Sequence, residues 1–157
     1  DESISVGVFM DTSGSVTNED ASFMHGVMHD IISNLPVKWL RYMEIDTSIK
    51  KDITMDGVIT FPEPKIKGRG GTDFRPPFAK LAEDPGNFPD VVVYLTDGQG
   101  PFPEEEPPYP VLWVYNHKDR TTPAPPWGEL TRFDRRDMEA YGYATGQDGN
   151  AAASPSR

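Results

Sequence analysis

The chain contains no cysteine, which excludes disulfide bonds, thiolate zinc sites and cysteine nucleophiles together. It also lacks any apolar run long enough to span a membrane and any recognisable signal peptide. Basic residues are few, 15 against 25 acidic ones, and the formal net charge is −10. This balance argues against nucleic acid and anionic membranes as partners. A cytoplasmic protein is the expectation that these absences favour.

Apolar residues are also scarce, at 36% of the chain, whereas proline (16) and glycine (14) are abundant. A chain of 157 residues has the length of one domain, but its prolines and glycines gather in loops and near the C-terminus, so a small core is expected. We predict one domain over residues 1–133 and a polar tail, residues 134–157, that is disordered. Because the chain starts at Asp1 and not at methionine, we expect it to be part of a longer protein.

Short apolar runs bounded by turn-forming residues predict the strands. Those typical of buried strands are residues 3–10, 39–45, 90–96 and 111–115. Residues 128–133 have a weaker pattern of the same kind. Residues 53–61 predict an edge strand, with a hairpin-like turn at Met55-Asp56-Gly57.

Helical periodicity is clearest after the first strand. Apolar residues recur at spacings of about four between residues 23 and 35, with Thr17 as a plausible N-cap and Pro36 as the stop. A shorter helix is predicted over residues 74–83, where two prolines fit only the first turn. Strands that alternate with helices predict an α/β fold with a mainly parallel sheet.

Three polar loops carry the candidate chemistry. D-T-S-G-S (residues 11–15) follows the first strand, L-T-D-G (residues 95–98) ends the strand at 90–96, and G-G-T-D (residues 70–73) lies between them. Ligands of such sheets bind beyond the carboxyl ends of the strands, where neighbouring strand ends lie side by side. Hydroxyls mixed with few carboxylates suit a hard cation such as Mg²⁺. We therefore predict a metal site with these ligands: Asp11, Ser13, Ser15, Thr72 and Asp97.

Two further aspartates are expected beside that site. Asp46 ends the second strand and Asp73 follows Thr72. Either could support the ligands, but Asp46 could equally be a simple strand-end residue and Asp73 could cap the next helix. Whether the acidic run at residues 104–106 contributes to the rim of the site is left open by the sequence.

The three motifs, in this order, resemble the metal-ion-dependent adhesion site of von Willebrand factor A (VWA) domains. That site has D-x-S-x-S, then a distant Thr, then an Asp after a hydrophobic strand. More narrowly, F-M-D-T-S-G-S, G-G-T-D-F, Y-L-T-D-G-Q-G and V-L-W-V-Y make the chain similar to the C-terminal VWA-like domain of bacterial predicted metallopeptidases. The resemblance covers residues 3–133.

The resemblance implies a Rossmann-like sheet of strand order 3-2-1-4-5, with one antiparallel edge strand. The chain departs from larger VWA domains in the short interval between Ser15 and Thr72 and in its polar tail, so we expect fewer flanking helices. The resemblance also implies bound Mg²⁺, with Mn²⁺ or Ca²⁺ as alternatives, and a domain that binds and does not catalyse. The implied partner is a protein that presents a carboxylate to the metal. An AAA+ ATPase of the MoxR type is a further implied partner.

Two other functions compete with this interpretation. In a phosphotransferase of the haloacid dehalogenase type, Asp11 would be the nucleophile. That mechanism needs another Asp shortly after Asp97, where the chain has Gln99, Gly100 and Pro101. The other alternative is a VWA scaffold that has lost its metal. A zinc site at the histidines of positions 25 and 29 is disfavoured because the Glu of the zinc-peptidase motif is missing.

Overall fold

A computed structural model describes residues 2–14, 16–60, 71–116 and 121–133. Six strands form one sheet in the order β3-β2-β1-β4-β5-β6. They are β1 (Ile4–Asp11), β2 (Val37–Ile45), β3 (Ile49–Asp56), β4 (Val91–Thr96), β5 (Val111–Asn116) and β6 (Glu129–Phe133). All neighbours are parallel except β2 and β3. The predicted α/β class, strand order and antiparallel edge strand are confirmed, and β6 extends the sheet by the strand expected at residues 128–133.

The hairpin between β2 and β3 was misplaced by the sequence pattern. The turn lies at residues 46–48, and Met55-Asp56 ends β3. The physical reason is a turn formed by Asp46, whose carboxylate accepts the backbone N–H groups of Thr47 and Ser48. β3 therefore begins earlier than the predicted range.

Helix α1 (Asn18–Ser33) covers one face of the sheet. Thr17 is its N-cap and forms a capping box with Asp20, because each side chain accepts the other's backbone N–H. The predicted cap is thus in place. The core under α1 consists of residues from the helix and from the four inner strands, among them Val6, Val8, Met10, Phe23, Met24, Met28, Leu40, Leu95 and Val114.

Helix α2 (Arg75–Ala82) and a short 3₁₀ helix (Pro85–Asn87) lie on the opposite face, over a core rich in aromatic rings. Trp113 stacks on Tyr94 with ring centroids 4.8 Å apart. The connection from β4 to β5, residues 97–110, contains no helix, and Phe102 from this connection packs against Trp113 instead. Two α-helices flank the sheet in the described residues.

No helix in the described ranges is both long enough and apolar enough to cross a membrane. The predicted tail, residues 134–157, lies outside those ranges.

Candidate metal centre

Asp11 ends β1 and is fully buried. Its Oδ1 accepts the backbone N–H of Ser13 at 2.8 Å, and its Oδ2 accepts the hydroxyl of Thr96 at 2.5 Å. The Ser13 side chain, also fully buried, forms a further hydrogen bond with the same carboxyl group. The Asp11 carboxylate therefore binds both the D-T-S-G turn and the neighbouring strand, β4.

Asp97 lies beside Asp11 because β1 and β4 are neighbours in the sheet. The register pairs Met10 with Leu95, which brings the ends of both strands to the same level. Asp97 is 6% exposed, and its Oδ1 accepts the backbone N–H of Gln99 at 3.1 Å. The structure thus brings the two predicted carboxylate ligands together.

Burial raises the pKa of Asp11 from 3.8 to about 6, and the negative charge of Asp97 adds to this rise. The hydrogen bonds from Ser13 and Thr96 act in the opposite direction, because they stabilise the ionised carboxylate. None of the ion pairs within the described part of the chain includes Asp11 or Asp97. Two acidic groups therefore lie close together, out of water and without a cation from those residues.

The loop of Thr72 is attached to the turn after β2 and to the connection after β4. The backbone N–H of Asp73 donates to the carbonyl of Asp46 at 2.8 Å, and that of Phe74 donates to the carbonyl of Pro101 at 3.1 Å. A Cβ at Gly100 would lie 2.8 Å from the Thr72 methyl group, so the loops are in contact. Thr72, which is half-buried, therefore lies next to the loop that carries Asp97.

The other two predicted aspartates bind neighbouring groups. The Asp46 carboxylate accepts a hydrogen bond within its own turn, from the backbone N–H of Ser48, and lies 3.8 Å from Lys50 Nζ. The Asp73 carboxylate accepts the backbone N–H of Arg75 and both ends of its guanidinium, each at 2.9 Å. These bonds to Arg75 hold the pKa of Asp73 below its ordinary value. Both residues support the Thr72 loop through the backbone, and a direct role at a metal stays a prediction.

Ser15, the fifth predicted ligand, lies outside the described residues. The other four lie at one end of the sheet: Asp11 at the end of β1, and Ser13, Thr72 and Asp97 in the loops there. Thr96 was missed by the sequence analysis, although it is the last residue of β4, directly before Asp97, and its hydroxyl donates to Asp11. The sequence feature that could have indicated this role is the Thr96-Asp97 pair. It points to Asp11 only when β1 and β4 are known to be neighbours.

The family of the chain follows from a comparison of its sequence with protein families. A family model described as a VWA-like domain (DUF2201) matches residues 6–134. The chain belongs to this VWA-like family. The comparison with curated proteins finds no match. The match agrees with the fold and with the resemblance to VWA domains in general.

The donor atoms at the strand ends of this VWA-like domain suit a hard cation. Carboxylate and hydroxyl oxygens are the ligands that Mg²⁺ and Ca²⁺ prefer. In the described ranges no group of three or more His, Asp or Glu side chains is placed to hold a metal ion, so a cation here would depend on hydroxyl ligands as well as on the two carboxylates.

One buried polar group below this edge is also unsatisfied. The hydroxyl of Tyr94 is fully buried and has no hydrogen-bond partner within the described residues. Burial raises its pKa, and the charges of Asp11 and Asp73 raise it further, which places the phenol near both carboxylates. One unsatisfied hydroxyl therefore lies beneath the candidate centre, within the aromatic core.

Gly98 is required by the VWA-like domain's Asp97 loop, and Gly98→Ala should destabilise the protein by about 2–4 kcal/mol. Its φ is +85°, and a Cβ there would lie 2.5 Å from the ring of Tyr115. Gly57→Ala is the matched control, since its φ is +72° but nothing lies within 4 Å. It should cost about 1 kcal/mol, from backbone strain alone. Urea denaturation measures both, and equal losses would contradict the contact with Tyr115.

Proposed function

We propose that this VWA-like domain is a metal-dependent protein-interaction module that binds Mg²⁺ and, through it, an acidic residue of a partner protein. The family supports the coarser part, a protein-interaction module. The metal is supported by one observation above all: Asp11 and Asp97 are buried side by side without a cation among the described residues. A buried pair of like charges is costly unless a cation neutralises it.

In this proposal the metal is held by Asp11, Ser13, Ser15, Thr72 and Asp97. Three of these are neutral hydroxyls, so the bound ion keeps much of its positive charge. Such an ion attracts a further carboxylate, which the partner supplies. Mn²⁺ or Ca²⁺ could replace Mg²⁺ at a site of this kind. The net charge of −10 repels acidic proteins at long range, so the partner's carboxylate should lie within a neutral or basic surface.

We further propose that the domain itself does not catalyse. The rival mechanism needs another Asp shortly after Asp97, and the chain has Gln99, Gly100 and Pro101 there. Incubation with p-nitrophenyl phosphate or acetyl phosphate should give neither turnover nor an acyl-phosphate on Asp11. Either product would favour the phosphotransferase.

The test of the metal site is thermal unfolding with and without the ion. Mg²⁺ or Mn²⁺ should raise the melting temperature, because a ligand of the native state stabilises it by mass action, and Asp11→Ala should abolish the rise. The matched control is Asp90→Ala. Asp90 also joins β1 to β4, through a 2.8 Å bond from the backbone N–H of Ser5, but at the opposite end of the sheet. That variant should keep the metal response. Melting of the unaltered protein that is independent of the metal would refute the proposal.

The biological setting that we propose is an adaptor for an AAA+ ATPase of the MoxR type, or a part of a larger metallopeptidase-like protein. This setting needs a candidate centre that a partner can reach, and Gly71 and Gln99 are exposed beside it while the carboxylates are buried. A partner can thus reach that end of the sheet. A pull-down from the source cell with Mg²⁺ and with EDTA should recover an ATPase only when the metal is present. Recovery that is equal in EDTA would exclude a metal-mediated contact.

A further inference from the structure

Asn116 is the last residue of β5, at the end of the sheet where the candidate centre lies. It is 4% exposed, and its side-chain amide donates to Asp20 Oδ1 at 2.8 Å. The two residues are 96 positions apart in the chain. This bond therefore attaches the first turn of α1 to a strand two places away from β1.

The other oxygen of the Asp20 carboxylate belongs to the capping box. Asp20 Oδ2 accepts the backbone N–H of Thr17 at 3.1 Å, while the Thr17 hydroxyl accepts the backbone N–H of Asp20 at 3.0 Å. One carboxylate thus connects the cap of α1 to the end of β5. The capping box consists of the two bonds between Thr17 and Asp20, so the bond to Asn116 adds a tertiary constraint to a local motif.

The metal loop is the short segment between Asp11 and Thr17. Its first end is fixed to β4, because Asp11 accepts the hydroxyl of Thr96. Its second end is fixed to β5, through Asp20 and Asn116. Inside the segment the N–H of Val16 donates to the carbonyl of Ser13 at 3.0 Å. Both ends of the segment are therefore held by hydrogen bonds to strands of the sheet.

We propose that Asn116 is a positioning residue for the metal centre, which acts through Asp20 on the loop that carries Ser13 and Ser15. This inference rests on the proposed metal site. Asn116 does not itself bind the ion. Groups that orient metal ligands are worth about 10–100-fold in metal affinity. An amide is suited to this position, since a carboxylate there would repel Asp20.

The test is the Kd for Mn²⁺, measured by calorimetry on the full chain. Asn116→Ala should weaken Mn²⁺ binding about tenfold. The matched control is Asn34→Ala, which removes an amide hydrogen bond of the same 2.8 Å length at the far end of α1, to the carbonyl of Asp30. It should leave the Kd unchanged. Equal weakening by both variants, or none by Asn116→Ala, would overturn the proposal.

A rescue variant separates positioning from general loss of stability. The double substitution Asp20→Asn with Asn116→Asp keeps a hydrogen bond between the two side chains, with donor and acceptor exchanged. The amide oxygen at position 20 can still accept the N–H of Thr17. This variant should recover most of the Mn²⁺ affinity that Asn116→Ala loses. A Kd as weak as that of Asn116→Ala would count against the proposal.

A second readout keeps this inference distinct from the metal site. Hydrogen exchange of the Thr17 amide, measured by NMR without metal, should be faster in Asn116→Ala than in the unaltered protein or in Asn34→Ala. If the unaltered protein does not bind Mn²⁺, the proposed function fails, while the exchange rate still reports on the connection between β5 and the loop. Unchanged exchange would show that Asn116 does not position the loop.

Discussion

Asp11→Asn should make the metal-free protein more stable at pH 7.5, by about 3 kcal/mol. The pKa of Asp11 is 3.8 in the unfolded chain and about 6 in the fold. Between these values the unfolded chain has already lost the proton while the folded one retains it, so stability falls as the pH rises. Above the folded pKa the full cost is present. An uncharged amide removes this cost.

The amide fits the hydrogen bonds of the site. Its oxygen can accept the N–H of Ser13, and its nitrogen can donate to the hydroxyl oxygen of Thr96, so neither partner is left alone. Urea denaturation in EDTA at two pH values measures the effect. The gain should be about 3 kcal/mol at pH 7.5 and about half of that at pH 5. A variant that is less stable than the unaltered protein at both values would contradict the assigned cost of burial.

The same substitution should remove the response to metal. Saturating Mg²⁺ should stabilise the unaltered protein, since the ion neutralises Asp11 and Asp97, and should leave Asp11→Asn unchanged. Asp11→Asn is therefore the more stable protein without metal, and the unaltered protein becomes the more stable one when metal binds tightly. This pairing of effects separates a functional carboxylate from a structural one, because removal of a structural carboxylate would lower stability under both conditions.

The sheet could be predicted because its strands have patterns that depend on burial alone. The apolar runs of β1, β4 and β5 are buried on both faces, and such runs are visible without knowledge of their neighbours. β3 was placed too late because its residues are mostly exposed and its start is set by the turn at Asp46. An edge strand that faces solvent leaves little apolar periodicity in the sequence.

The candidate site could be predicted only in part, for a related reason. Asp11, Ser13 and Asp97 belong to short motifs that can be recognised from a few consecutive residues. Thr96 and Asn116 act through hydrogen bonds to partners 85 and 96 residues away in the chain, one in a neighbouring strand and one in α1. Such contacts depend on strand order and register, which the motifs alone do not contain. The resemblance to VWA domains supplied the order, but not which side chains would bond across it.

Trp113→Ala should cost about 3–5 kcal/mol, a loss comparable to the whole stability of a marginal domain. Trp113 is fully buried at the centre of the aromatic core. Its ring stacks on Tyr94 and meets Phe74 and Phe102 edge to face, at 5.6 and 5.0 Å between centroids. Because Phe74 follows the Thr72 loop and Tyr94 lies below Asp11, a cavity here should also weaken Mg²⁺ binding.

Two conservative variants test whether the loss comes from packing. Trp113→Phe should cost only about 1–2 kcal/mol, because it keeps a ring and removes an indole N–H that has no partner within the described residues. Trp127→Phe removes an N–H that donates to the carbonyl of Pro103 at 2.9 Å, and should cost about 1 kcal/mol even though that ring is only half-buried. Urea denaturation followed by circular dichroism measures all three. A loss for Trp113→Phe as large as that for Trp113→Ala would mean that the indole N–H has a partner, and that packing is not the main term.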